Sequence, residues 1–232
     1  MSDPQIGLVA EGPTDYVLIE AALKAILQRP FVLTLLHPES NLSAFGNGWG
    51  GVLKWCDAAG ERHAGSLDAD TTLALFDLLI IHLDVDVALK KYADYGATLC
   101  DMAVEKKWPV LPCNQPCPPV ANTCAALQTV VLGWLGKALP GNKTVLCLPA
   151  QSTGAWLVAA MLPHTDGLCQ GLECNPDAEA GLAHLPLALR VKRKSAPEYR
   201  KHVDVVNANW TAVKSLCAQA TAFEQAVVAV LP

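Results

Sequence analysis

The 232-residue chain is poor in charge, with Asp, Glu, Lys and Arg making up 17% of it, against about 25% in an average soluble domain. Aromatic residues are scarce as well, at 6%, while 52% of the chain is hydrophobic. A chain this apolar buries a sizeable core, which excludes global disorder. It nevertheless lacks an apolar run near the roughly 18 residues that a membrane helix needs; an Asp, His or Lys interrupts each candidate first. The opening residues MSDPQ hold no basic segment followed by an apolar one, so no secretory signal is expected and the chain reads as cytoplasmic. Internal repeats and low-complexity tracts are also missing. At ~100–200 residues per domain, the length allows one elaborated domain or two small ones.

A net charge of −5 argues against a uniformly basic nucleic-acid coat. The distribution is uneven, because Arg190, Lys192, Arg193, Lys194, Arg200 and Lys201 face only Glu198 within Leu189–Lys201, a local +5. A basic island on an acidic body points to a localised anion-binding surface, with a solvated charged turn as the plainer alternative. The nine cysteines are an odd number, scattered along the chain. That pattern predicts reduced, mostly buried thiols rather than a disulfide framework. Cys113, Cys117 and Cys124 cluster in CNQPCPPVANTC without a fourth ligand at zinc-site spacing, so they too read as packed thiols.

The hydrophobic pattern predicts alternating strands and helices. QIGLVA (5–10) reads as a buried strand stopped by Glu11-Gly12-Pro13, and Thr14 as the cap of a helix running from Asp15 to about Gln28. Phe31–Leu36, Phe76–Leu83 and Thr144–Leu148 read as further strands, the second uninterrupted enough for a central position covered on both faces. Helices are expected at Thr123–Leu139, through Trp156–Met161 and from about Asn209 to Val230. The stretch FGNGWGG is not followed by the Lys-Ser/Thr of a phosphate loop. The order of elements predicts an α/β domain over residues 1–162, with an insertion at about 37–72. A loop-rich, partly helical C-terminal extension over 163–232 would carry the basic segment and the final helix.

In open parallel sheets, ligands collect at the carboxyl ends of the strands. Two predicted strands end in acids: Glu11 after the first, and Asp84 and Asp86 after the central one, with Asp15 one helical turn beyond Glu11. Carboxylates gathered at one edge repel unless a cation neutralises them, and all-oxygen ligands select a hard ion, Mg²⁺ or Mn²⁺. The plainer alternative is that Glu11 and Asp15 are helix N-terminal acids and Asp84 a turn former. His82 reads as a core histidine rather than a general base, Tyr199 as a packing residue, and Trp156 and Trp210 as core aromatics.

The segments IGLVAEGPTDYVLIEAAL and LLIIHLDVD resemble the TOPRIM domain, in particular its compact branch related to the overcoming-lysogenization-defect nucleases. The resemblance covers residues 6–28 and 78–86. It implies a small four-stranded parallel sheet flanked by helices, with Mg²⁺ (or Mn²⁺) bound by Glu11, Asp15, Asp84 and Asp86. It further implies cleavage of nucleic-acid phosphodiesters by Glu11, Asp84 and Asp86, with Lys192 or Lys194 stabilising transition-state charge. Phosphates would then be held by Arg190, Lys192, Arg193, Lys194, Arg200 and Lys201. DNA rather than RNA as substrate, an ATPase partner subunit and a part in bacterial anti-phage defence are implied by the family alone. The chain leaves no room for the separate tyrosine-bearing domain of a topoisomerase, and shows no zinc domain or extended basic subdomain of a primase. Small relatives carry an acid near the position of STGAWL, where this chain has Gly154, which implies a one-metal or weakened enzyme. The alternative from another class is a non-catalytic TOPRIM-like subunit that binds a partner protein, such as an ATPase, or nucleic acid. A haloacid-dehalogenase-like phosphatase would want an adjacent acidic pair late in the chain, and none follows Pro140.

Overall fold

Apolar strands buried on both faces organise the molecule. The computed structural model describes residues 2–38 and 45–232; residues 39–44, part of the expected insertion, lie outside the described residues. In chain order the first elements are β1 (Gln5–Val9), α1 (Pro13–Leu27), β2 (Val32–His37), α2 (Trp49–Arg62), β3 (Gly65–Ser66) and β4 (Leu78–His82). Then come α3 (Tyr92–Tyr95), α4 (Ala97–Glu105), α5 (Ala121–Leu135), β5 (Ala138–Leu139), β6 (Thr144–Cys147) and α6 (Thr153–Met161). The C-terminal part adds α7 (Ala178–Gly181), α8 (Ala196–Arg200), α9 (Val203–Ala208), α10 (Trp210–Leu216) and α11 (Ala218–Val230). The main sheet has the order β2-β1-β4-β6 and is parallel throughout. The expected α/β fold with a parallel sheet flanked by helices is therefore what forms.

Successive side chains of a strand point to opposite faces, and the core divides accordingly. Ile6, Leu8, Leu78, Ile80, Val145 and Cys147 face one apolar cluster, shared with α1, α6 and the C-terminal helices. Val9, Leu79 and Ile81 face the other, shared with α2 and α5. Residues beyond 163 thus supply much of the cover on the first face: Trp156 packs edge-on to Trp210 at 5.3 Å and stacked on Phe223 at 5.7 Å. Both tryptophans are core aromatics, as expected. Each buried Leu or Ile contributes about 1.5–3 kcal/mol, so β4 (Leu78–His82) can carry one buried histidine at its end without losing its place in the centre.

Local chemistry moves several boundaries. Gly12, not Thr14, is the N-cap of α1, because Pro13, with its preset φ, occupies the first turn; Thr14 is buried inside it. Gly136, at φ 59°, ends α5 before the expected Leu139, which joins the small β3–β5 pair instead. The single helix expected from Asn209 breaks at Cys217, whose extended backbone (φ −124°, ψ 101°) lets the Gln219 amide donate to Glu173 Oε1 at 2.9 Å. Where α2 crosses α5, a Cβ at Gly60 would collide with the Leu135 carbonyl, so only glycine permits that approach.

One expectation about the cysteines is overturned. Cys117 and Cys174 form a disulfide across 57 residues, tying the Pro-rich connection before α5 to the segment before α7. Sequence spacing could not show this, because the partners are 57 residues apart and are brought together only by folding. Cys113 and Cys124 remain free thiols, as do five others.

Two outcomes are expected. Alkylation of the denatured, unreduced protein should label seven cysteines, and nine after reduction, as counted by mass spectrometry. Gly60→Ala should lower unfolding free energy by about 1–3 kcal/mol in urea titrations, since the obstructing atom is backbone and cannot rotate away.

Candidate metal centre

Adjacent strand ends supply the site. β1 and β4 pair from Ile6↔Leu78 to Val9↔Ile81, so the chain leaves both strands at the same edge, just before Glu11 and Asp84. Contact between them is direct, the Asp84 amide donating to Glu11 Oε1 at 2.8 Å. Asp15, in the first turn of α1 and only 3% exposed, accepts from the Thr153 hydroxyl at 2.7 Å. Thr153 opens α6, and its backbone N–H donates to Asp84 Oδ1 at 3.1 Å. One residue therefore fixes two carboxylates.

His82 ends β4 and is wholly buried, with Nε2 3.0 Å from Asp84 Oδ1. Its Nδ1 has no hydrogen-bond partner among the described residues. It is thus not the satisfied core histidine that the sequence predicts. Ligand atoms of Asp15, His82 and Asp84 lie within 4.8 Å of one another, and this buried group can hold a metal ion. Only the position of His82, two residues before Asp84, could have flagged it.

Asp86 stands apart from that group. Its carboxylate faces Lys90 at 3.4 Å, while its amide donates to Gln151 O at 3.1 Å. Gln151 takes the left-handed backbone (φ 60°) and also donates from Nε2 to Glu173 O, next to the disulfide. Non-glycine residues in that conformation are uncommon and gather at functional sites.

The six basic residues of the island separate. Lys194 is exposed, its side chain 48% accessible, but its Nζ reaches to 4.0 Å from Asp84 Oδ2 and 3.2 Å from Glu179 Oε2. Lys192 and Arg193 stay exposed, Arg190 donates from Nε to Leu185 O at 2.9 Å, and Lys201 pairs with Glu198. Arg200 is exposed at the end of α8. Tyr199 is buried, as expected of a packing residue, but its hydroxyl also donates to Glu179 Oε1. Glu179, which the sequence pattern does not single out, comes from α7 and lies over Gly154, where the resemblance expects an acid on α6. Nothing in its local sequence marks it.

The electrostatics follow from gathering acids in a dry place. Burial first, then the Asp84 carboxylate, push the Glu11 carboxyl up to about 8. Burial and Asp15 likewise raise Asp84 to about 6, against the opposing pull of His82 and Lys194. Burial alone would lower His82, but Asp15, Asp84 and Glu11 outweigh it and hold the imidazolium to about 9. Asp86 is raised by burial, with Lys90 opposing. For Lys194, burial is overcome by Asp84, Glu179 and Asp15, so its ammonium is held above the ordinary lysine range.

The gathered carboxylates keep oxygens free. Glu11, Asp15 and Asp84 each spend one oxygen on a hydrogen bond that fixes the carboxylate. Among the described residues, Glu11 Oε2 and Asp15 Oδ2 accept none, and Asp84 Oδ2 has only the distant Lys194. Glu11 is not among the residues whose ligand atoms gather within 4.8 Å, which are Asp15, His82 and Asp84. Comparison with protein-family models, curated proteins and solved structures finds no match for the chain, which leaves the fold and this site to indicate its function.

The raised pKa values predict a pH dependence of stability. Between its unfolded value of 4.5 and about 8, Glu11 binds more proton in the folded state than in the unfolded one. Stability from that group is therefore complete below the lower value and lost as pH rises through the upper, and His82, raised from 6.5 to about 9, has the same sign. Chelator-treated protein should melt at progressively lower temperature from about pH 5 to about pH 8 in calorimetric scans. Glu11→Gln should flatten that fall, and added Mn²⁺ should oppose it by binding only the folded state.

Proposed function

We propose that the protein is a metal-dependent nuclease of TOPRIM type, hydrolysing nucleic-acid phosphodiesters, with DNA as the first substrate to test. The observation that carries this reading is the convergence of Glu11, Asp15 and Asp84 at one edge of a parallel sheet. Each of these carboxylates is fixed through one oxygen, and Asp15 and Asp84 lie close enough, with His82, to share a cation. Asp15 and Asp84 would hold that cation with Glu11 at their side, while Asp86, facing Lys90, stands apart. A bound Mg²⁺ or Mn²⁺ supplies stabilisation of the attacking and leaving oxygens in phosphodiester hydrolysis.

The chain's own groups have separable tasks in this reading. Thr153 and His82 keep Asp84 from swinging away, Thr153 also restrains Asp15, and Lys194 offers an ammonium at the rim of the acidic group. Arg190, Lys192, Arg193 and Arg200, exposed on the same C-terminal segment, supply phosphate contacts along the strand. Lys194 already has two carboxylates and contributes less to that diffuse attraction.

A second reading is favoured by one contact. Lys194 gives the acids an internal counter-ion, as would suit a non-catalytic subunit that binds an ATPase partner or nucleic acid.

Cleavage assays on plasmid DNA and on single-stranded DNA and RNA, with Mn²⁺ or chelator, decide between the two. Asp84→Asn and Glu11→Gln should each reduce cleavage by roughly 100-fold or more, as for loss of a preorganised charge-stabilising group. Both should leave nucleic-acid binding and its salt dependence nearly unchanged. Reversing Arg190 and Arg193 to Glu should do the opposite, flattening the log–log salt slope on duplex DNA by roughly 0.9 for each phosphate no longer neutralised. Wild-type protein that cleaves none of these substrates with either metal would leave the binding subunit as the function.

A further inference from the structure

Glu179 is held by three donors from two separate parts of the chain. Its Oε2 accepts from Ser152 Oγ at 2.6 Å and from Lys194 Nζ at 3.2 Å, and its Oε1 accepts from the Tyr199 hydroxyl. Two hydroxyls already satisfy a half-buried carboxylate; the third donor is what connects it to the acidic group. The Lys194 ammonium stands 4.0 Å from Asp84 Oδ2, too far for a hydrogen bond. Glu179 is therefore the carboxylate that fixes the ammonium's position. A lysine side chain has four rotatable carbons and loses much conformational freedom when held in one place, so some group has to supply that restraint.

Gly154 bears on the same arrangement. It lies in the first turn of α6, buried, where alanine would favour the helix more. A Cβ there would collide with the Glu179 carboxylate rather than with backbone. The glycine leaves room for an acid arriving from another segment, and Ser152, two residues earlier, supplies one of that acid's hydrogen bonds.

We infer that Glu179 is a positioning residue that holds the Lys194 ammonium at the rim of the Glu11–Asp15–Asp84 site, in a space that Gly154 keeps open. This rests on the phosphodiester reading above, in which an ammonium at that place meets a non-bridging phosphate oxygen and offsets charge developing in the transition state. Glu179 itself touches no reacting atom.

Two variants test it, Glu179→Gln, which removes the charge, and Gly154→Ala, which displaces the carboxylate without altering any charge. The first readout needs no catalysis: labelling of wild-type protein by an amine-reactive ester, quantified by mass spectrometry with exposed Lys192 as internal standard. Lys194, exposed like Lys192 but with its Nζ held against Glu179, should label more slowly than Lys192 in the wild type and several-fold faster in both variants. The second readout is cleavage with Mn²⁺, where both variants should lower kcat by roughly 10- to 100-fold, as for other groups that orient a functional one. KM for nucleic acid and the salt slope should stay in place. The double variant Glu179→Gln/Lys194→Ala should be no slower than Lys194→Ala alone, because a residue acting only through another adds nothing once that other is gone. Unchanged Lys194 labelling in both variants would overturn the inference whatever the cleavage result. Additive losses in the double variant would overturn it too, by showing that Glu179 acts independently. Failure of the wild type to cleave at all would instead remove the nuclease reading, and the labelling would still decide the positioning.

Discussion

The acidic site depends on where β1 lies beside β4. With Val9 opposite Ile81, the two chains leave the sheet together and the Asp84 amide meets Glu11 Oε1. Side chains alternate with a period of two, so a one-residue slip would send Leu78 and Ile80 to the wrong face and carry the Asp84 amide out of reach. Packing on both faces forbids that slip, because each face is a closed apolar cluster. The hydrophobic effect, which has no directional preference of its own, thereby fixes a polar geometry to within a hydrogen bond.

What the packing gathers, electrostatics resists. Several carboxylates sit where water is largely excluded, and the rise of Glu11 and Asp84 measures that resistance. Two internal cations relieve it, His82 from within the sheet and Lys194 from the C-terminal segment. Both contacts are conditional on the acids being charged, so site and counter-ions respond to a bound cation together. Removing one partner of such a group leaves an uncompensated buried charge, which is the costly outcome in a dry interior. Thr153 behaves differently, since its two hydrogen bonds hold Asp15 and Asp84 whatever the neighbouring charges.

Residues near one another in sequence were legible and residues joined by folding were not. The run LLIIH followed by Asp84 announces a central parallel strand with an acid at its carboxyl end, because burial on both faces demands an uninterrupted apolar stretch. Glu11 and Asp15 could be placed in the same way from the strand and helix that flank them. His82 reads from sequence as a core histidine because its role lies in a contact with Asp84, not in a pattern. Glu179, and which of Lys192 and Lys194 reaches the acids, were invisible for a stronger reason: α7 and the basic segment have little periodicity, and their course is set by what they pack against. The disulfide escaped on the same ground, its two cysteines lying 57 residues apart. Boundary errors were local chemistry, as with Pro13 starting α1 and Gly136 stopping α5.

The spread of the site along the chain sets when it can exist. Glu11 leaves the ribosome long before Lys194 and Tyr199 do. During synthesis the sheet edge therefore presents Glu11 and Asp15 before their restraints and counter-ions arrive. Domains fold as units as they emerge, but this one keeps its last cover, its lysine and its Glu179 segment until late. A chain terminated before α7 holds the acids with Thr153 and His82 but without Lys194 and the Glu179 that positions it. Synthesis of the stretch from Glu179 to Tyr199 is in this sense the final step in building the site.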